Sequence, residues 1–379
     1  MKKALMTAHV AYAIEMFNIP NIRLLQSMGY EVQVACNFDD RSSLSDEKVA
    51  ALKDKLMAMG VKYHNIPFQR NPLKPQNLKA FFALKKLIDG EKFSLIHCHT
   101  PVGGILTRLA AAKCRKSGTK VIYTAHGFHF FKGAPLVNRV IYFTAEWLCS
   151  FFTDTLITIN KEDFESAEAK LHAKKVCYVP GVGVDTERFG GTQGKREALL
   201  NEIAADEDSV ILLGVGELSA RKNHGVSIRA LAELKNSKVH LVIAGTGEKE
   251  EEFRALAKKL SIENQVHLLG FRTDIAELMK SADVFIFPSL QEGLPVALME
   301  AMACSLPCVC SEIRGNVDLI DEETGIICDK TDVTAFKQAI EKLLADRELR
   351  CNMSAKALER SKKYDIKIIE EYMKEIYSD

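Results

Sequence analysis

The apolar pattern of this chain runs strand, helix, strand, helix, and it does so twice. In the first half, the short apolar runs KALMTA, EVQVAC, SLIHCH, KVIYTAH, TLITI and VCYVP alternate with amphipathic stretches such as 78–87 and 105–114. In the second half, VILLGVG, VHLVIAG, VHLLG, VFIFP, PCVCS and GIIC repeat the scheme, with helical stretches at 248–260 and 334–344. Strands separated by helices pair in parallel through right-handed crossovers, so the pattern predicts an α/β protein with two parallel sheets. A chain of 379 residues has room for both. Parallel sheets take ligands at the carboxyl ends of their strands, and clefts between domains are common ligand sites. The chemistry is therefore expected on strand-to-helix loops facing a cleft.

The divide falls in the irregular, glycine-rich segment PGVGVDTERFGGTQG that starts at Pro180. The expected organisation is an acceptor-side domain over residues 1–185, a donor-side domain over 186–360, and a helical tail over 361–379 placed to pack back on the first domain. Both domains are expected to be Rossmann-like.

Apolar residues at 47% and charged residues at 27% suit a water-soluble globular chain. The net charge of +1 hides an asymmetry. Residues 1–180 hold 25 Lys+Arg against 15 Asp+Glu, and the remainder holds 26 against 35. A basic half suits a membrane surface, a pyrophosphate-linked lipid or nucleic acid, or is simply an excess of surface lysines. The basic residues lack interleaved aromatics or a known motif, which argues against nucleic acid. Ten cysteines without a CxxC pair point to a reducing, cytoplasmic setting. The opening MKKALMTAHVAYAI imitates a short signal peptide, but His9 and Glu15 interrupt it and KKALMTA reads as a first strand. Residues 139–159 are apolar yet contain Glu146 and Asp154, which predicts an amphipathic helix and a strand in place of a membrane span. Any membrane attachment is expected to be peripheral, at the inner face.

The segment VFIFPSLQEGLPVALMEAMACSLPCVCS concentrates the candidate chemistry. A buried strand ends at Pro288, a loop presents Glu292 and Gly293, and a helix begins near Pro295. Free N–H groups and the dipole at a helix start suit a diphosphate. Glu300 can accept hydrogen bonds from vicinal ribose hydroxyls, Glu292 can do the same for a hexose, and Gly293 permits close approach. Taken alone, the two glutamates are better explained as solvated charges beside a helix start.

Two glutamates with seven residues between them, then a small-residue helix and strand, resemble the donor-site signature of the retaining family 4 glycosyltransferases of GT-B fold. Here SLPCV replaces the usual glycine-containing turn. VPGVGVDTERF is similar to the family's interdomain segment, so the resemblance covers nearly the whole chain. By resemblance, Leu294, Val296, Ala297 and Leu298 line the donor site with Gly293 and Glu300. GVGELSARKNHG is similar to the loop that brings Lys222 and its neighbour Arg221 to the donor diphosphate. Glu217 stands where most members have arginine, and Arg221 or Arg314 is the expected substitute. LLGFRTD resembles the loop near the donor base, implying Phe271 and Arg272 as base neighbours.

In VIYTAHGFHFFKGAP, His126 follows a strand, and by resemblance it contacts the donor sugar. IHCHTPVGG puts His99, Gly103 and Gly104 on the acceptor side. Alternation places His97 and His99 on one strand face, but no acidic or cysteine partner accompanies them at ligand spacing, so no metal site is expected. Gly245-x-Gly247 lacks a third glycine and faces acidic residues, which argues against a nicotinamide site. Asp206-Glu207-Asp208 precedes a strand and reads as a solvated loop. The pairing of CHTPVGGILTRLAA with TAHGFHFFKGAPL resembles the bacterial capsular and exopolysaccharide subgroup, the EpsD type.

The resemblance implies transfer of an N-acetylhexosamine or related sugar from a UDP-sugar to a polyprenyl-diphosphate-linked saccharide. Anomeric configuration would be retained, without a metal or other cofactor. His126, Glu292 and Lys222 are the expected catalytic residues. Two rivals remain at this point: a nucleotide-sugar 2-epimerase of the same fold, and a non-catalytic sugar-nucleotide or lipid-binding module.

Overall fold

The computed structural model describes residues 2–42 and 44–379, which divide into two compact units. The first runs through Val179 and takes in Ile369–Asp379; the second is Pro180–Ile368. The division thus falls six residues before the expected 185/186, and the last eleven residues return to the first unit.

The first unit holds a parallel sheet of β1 (Lys2–Val10), β2 (Tyr30–Asn37), β3 (Lys62–Asn65), β4 (Leu95–His99), β5 (Lys120–Ala125), β6 (Thr155–Thr158) and β7 (Lys175–Tyr178). Its order is β3-β2-β1-β4-β5-β6-β7. The central strands are buried on both faces, which is why they read as continuous apolar runs. Leu5, Ile96 and Val121 point to one face with Leu84 and Ile88, while Met6, Leu95 and Ile122 point to the other with Ile22 and Leu52. Ile369, Met373, Ile376 and Tyr377 of the last helix, Ile366–Ser378, join that second face at helical spacing.

The second unit holds β8 (Val210–Val215), β9 (Val239–Ala244), β10 (Val266–Gly270), β11 (Val284–Phe287), β12 (Cys308–Ser311) and β13 (Gly325–Cys328). Their parallel order is β10-β9-β8-β11-β12-β13. Every strand run expected from the sequence is present. β3 was not expected: KYHN is polar and only half covered at the sheet edge, so it carries no apolar signal. Among the described residues, no helix is long and apolar enough to cross a membrane.

In each sheet the strand order reverses at one point, between β1 and β4 in the first and between β8 and β11 in the second. At such a point the neighbouring crossovers leave on opposite faces and open a crevice at the strand carboxyl ends.

Candidate functional site

At the second sheet's reversal, β8 leads into residues 216–223 and β11 leads into residues 288–295. The two loops are tied by charge. Glu292 Oε1 accepts from Lys222 Nζ at 2.7 Å and from Arg221 Nη1 at 2.8 Å. Arg221 also donates to the Gln291 carbonyl at 3.1 Å, and Arg314 Nε donates to the Glu292 carbonyl at 3.2 Å. The side chains of Lys222 and Glu292 are 12% and 10% exposed, whereas Arg221 is 43% exposed. Burial holds the Lys222 ammonium below its ordinary pKa, against the pull of Glu292. Lys222 also lies 4.7 Å from the centre of the Phe287 ring, a cation–π contact. Glu217 stands 3.9 Å from Arg221.

Glycine shapes this crevice by close packing. A Cβ on Gly245 would lie 1.9 Å from the Gly216 carbonyl oxygen, and one on Gly247 would lie 2.4 Å from that of Leu218. Gly245-x-Gly247 therefore supports the 216–218 backbone from beneath. Likewise a Cβ on Gly315, at φ +83°, would meet the Gly293 oxygen at 2.3 Å.

The helix Val296–Ala303 starts behind this loop with Pro295 as its cap and no side-chain cap bond. Its first N–H groups, from Val296 to Leu298, have no intrahelical acceptor. Leu294 and Leu298 are buried; Gly293, Val296 and Ala297 are half-buried. Glu300 lies one turn on, and its side-chain carboxyl has no hydrogen-bond or ion-pair partner among the described residues. Burial raises its carboxyl to a pKa of about 7, with the Arg188 charge opposing the shift. The structure thus places Lys222, Arg221, Gly293, Glu292 and the helix start together, with Glu300 on the same helix. Arg272 is differently occupied: its guanidinium meets Asp274 at 2.6 Å and Glu202 at 2.6 Å, and so fixes a loop. Phe271 beside it is 62% exposed. Asp206 and Glu207 lie in the loop before β8, with Asp208 paired to Lys238.

The first sheet's reversal is built from neutral groups. His99 ends β4 and His126 follows β5; His99 Nδ1 and His126 Nε2 lie 3.0 Å apart. The other His99 nitrogen faces Met6 Sδ at 3.2 Å. Sulfur is a weak acceptor and no donor here, so His99 Nε2 carries the proton. In neutral His99, Nδ1 then accepts, His126 Nε2–H donates, and His126 Nδ1 is left as a bare acceptor. Burial lowers His126 to about 4, and burial followed by the neighbouring imidazoles lowers His99 well below its ordinary value. His97 is spent on structure: Nδ1 meets the Tyr377 hydroxyl at 2.8 Å and Nε2 the Thr124 hydroxyl at 2.8 Å. Gly103 and Gly104 are buried at the start of the helix Pro101–Lys116. A Cβ on Gly104 would lie 2.4 Å from the Tyr123 ring, so close packing accounts for this glycine without a ligand.

One residue was not singled out from the sequence. His9 stands near the end of β1, its backbone N–H held by the Thr100 hydroxyl at 3.1 Å, and its Nδ1 is buried without a partner among the described residues. Burial lowers it to about 4. The signal available was its place near the carboxyl end of the first strand, where it had registered only as a break in an apolar run.

Comparison with known proteins follows this geometry. Residues 22–188 match the family described as "Glycosyltransferase Family 4", and residues 195–360 match "Glycosyl transferases group 1". EpsD of Bacillus subtilis (strain 168) is 37% identical over 382 residues, spanning 100% of this chain and 96% of that one. The chain belongs to glycosyltransferase family 4. The transferase is also 30% identical, over 72% of each chain, to the Escherichia coli protein named UDP-Gal:alpha-D-GlcNAc-diphosphoundecaprenol alpha-1,3-galactosyltransferase. Its fold matches that of Anabaena Alr3699/HepE, solved in complex with UDP-glucose, at a TM-score of 0.79 and 18% identity over 100% of both chains. The transferase thus has the GT-B fold, two Rossmann-like domains with a helical C-terminal tail.

Proposed function

We propose that this glycosyltransferase moves a hexosyl unit, an N-acetylhexosamine in our reading, from a UDP-sugar to a polyprenyl-diphosphate-linked saccharide. The setting is capsule or exopolysaccharide synthesis, at the inner face of an anionic membrane. The observation that carries the reading is the shared Glu292 carboxylate, which holds Lys222 and Arg221 together at the second sheet's reversal. A donor diphosphate is the natural competitor for those two cations. Once it binds them, Glu292 is released to accept from sugar hydroxyls. The N–H groups at the start of the 296–303 helix add positive charge for the leaving diphosphate. These groups make a metal ion unnecessary in this proposal.

The neutral imidazole of His126 offers Nδ1 to a substrate hydroxyl. In the step itself, the acceptor oxygen bonds to the anomeric carbon as the carbon–oxygen bond to the diphosphate breaks. The acceptor proton passes to the departing diphosphate oxygen on the same face, so configuration is retained.

The support from relatives is of class: the Escherichia coli relative's name specifies a UDP-linked donor and an undecaprenol-diphosphate acceptor. The test is thermal stabilisation by UDP, GDP and ADP with and without EDTA, followed by transfer from UDP-hexosamines to an undecaprenyl-diphosphate saccharide. Selective, EDTA-insensitive stabilisation by UDP and an α-linked product from an α-linked donor are expected. No stabilisation by any nucleotide, or an inverted product, would overturn the reading.

A further inference from the structure

The helix Leu136–Ser150 is turned the wrong way round for a soluble protein. Its buried residues are Glu146, Cys149 and Ser150. Glu146 is anchored in the first unit by Arg108 at 2.8 Å and the Tyr123 hydroxyl at 3.1 Å, and the Arg108 guanidinium stacks 3.9 Å over the Tyr123 ring. The opposite face is apolar and open. From Leu136 to Phe151, seven large apolar side chains are exposed; Leu136, Val137 and Val140 are 74%, 68% and 64% exposed. At 100° per residue, all seven fall within one arc of about 140°. An ordinary surface helix points such a stripe at the core. Here the stripe faces solvent, and the first two turns contain no buried residue.

Charge identifies what covers it. The helix carries one carboxylate, Glu146, and that one is buried. Between Leu56 and Ala145 the chain has 14 Lys+Arg and only two carboxylates, Asp89 and Glu91. Lys132 and Arg139 flank the stripe and are exposed, as is Lys113 on the adjoining Pro101–Lys116 helix. A self-associating surface of this size would set these cations against their own copies. An apolar stripe bordered by lysine and arginine instead suits an anionic lipid interface, with the stripe among the acyl chains and the cations among the headgroups. At 15 residues the helix is too short to span a bilayer and lies along it.

We propose that the exposed face of the 136–150 helix is the transferase's docking surface for an anionic bilayer. The inference deepens the membrane contact proposed above and rests on that reading. It also explains a placement in the chain: the loop from His126 to Pro135 leads directly into the docking helix, so a membrane-borne acceptor would be met beside the neutral histidine site.

The protein carries its own probe. Trp147, its one tryptophan, is on the stripe and 37% exposed. Full-length protein is mixed with vesicles of phosphatidylglycerol and phosphatidylcholine, or of phosphatidylcholine alone. Sedimentation with the anionic vesicles, a blue shift of Trp147 emission and quenching by brominated acyl chains are expected. The double variant Val140→Asp/Leu148→Asp changes two exposed side chains and should lose vesicle affinity by about tenfold or more while keeping its melting temperature and its UDP stabilisation. Lys132→Glu/Arg139→Glu should lose less, and its deficit should shrink in high salt. Absence of wild-type binding, binding without a Trp147 response, or full binding by the double variant would overturn the proposal. So would a stable wild-type dimer that the double variant dissociates, since the stripe would then be a self-interface. The UDP readout keeps failure of docking separate from failure of the donor site.

Discussion

The two strand-order reversals of this transferase share a topology and differ in chemistry. The second sheet's crevice holds Lys222, Arg221 and Glu292 in one ion-paired group, with a carboxyl at Glu300 on the adjoining helix that has no partner among the described residues. The first sheet's crevice holds His9, His99 and His126, all lowered well below neutral pH by burial. In the proposed reading, the ion-paired crevice exchanges partners with a charged ligand, and the crevice of neutral imidazoles orients hydroxyls. Open parallel sheets commonly take ligands at such a reversal, and the side chains decide which kind of group each can hold.

The largest break in that comparison should come from Lys222→Met. It removes the half-buried cation that the proposed diphosphate site relies on, and transfer should fall by about 10²–10³-fold. Glu292 would keep only Arg221, so UDP affinity should fall as well. Steady-state kinetics beside calorimetric titration with UDP measure both, and transfer within a few-fold of wild type would remove Lys222 from the diphosphate role.

Glu292→Gln should separate from it in sign. Transfer should fall by about tenfold to a hundredfold, because a charged acceptor for sugar hydroxyls is lost. UDP affinity should be kept or rise, because the competing carboxylate no longer holds Lys222 and Arg221. Equal losses of UDP binding in both variants would mean that the ion pair is structural.

Much of the second crevice was legible in the sequence. A strand, a loop with Glu292-Gly293, Pro295 and a helix are local features, and they fix where Glu292 and the helix start must lie. The same holds for Lys222, one loop away. The Glu292–Lys222 contact was not legible, because it joins residues 70 apart and depends on strand order. The roles of Gly103 and Gly104 were hidden for a similar reason: the groups they pack against, around His9 and Tyr123, come from other strands. The apolar character of residues 139–159 was visible, but periodicity gives a helix its two faces without saying which one is covered. The buried Glu146, held by Arg108, marks the face that is covered.

Glu300 sharpens the comparison through pH. Its pKa of about 7 in the folded protein exceeds the ordinary 4.5, so the folded state favours the neutral acid. That preference is fully present below pH 4.5 and is lost as pH rises through 7, where the buried group must ionise. The unliganded Glu300→Gln variant should therefore melt above wild type at pH 8.5 and close to it at pH 5. Ribose hydroxyls donating to the carboxylate would favour its charged form. A UDP-hexose, whose diphosphate does not titrate in this range, should then bind wild type about tenfold more tightly at pH 8 than at pH 6. Glu300→Gln should lose affinity by about tenfold at pH 8 and show no such slope. An unchanged slope in the variant would take Glu300 out of the ribose role.

His126 should give the smallest change and the flattest profile. Burial leaves it neutral from pH 6 to pH 8, so in the proposed role it contributes one hydrogen bond accepted at Nδ1 and no charge. His126→Ala should lower transfer by about tenfold, with UDP affinity untouched, and the ratio to wild type should stay constant across that range. His99→Phe keeps the ring volume but removes the Nδ1 acceptor that holds His126 Nε2. Freed of that partner, His126 can rotate or take the other tautomer, so His99→Phe should cost most of what His126→Ala costs. The double variant should then add little to either single change, as expected for residues that act as a unit. Additive losses would mean that His99 touches substrate by its own route, and a pH-dependent ratio near neutrality would mean that the first crevice holds charge after all.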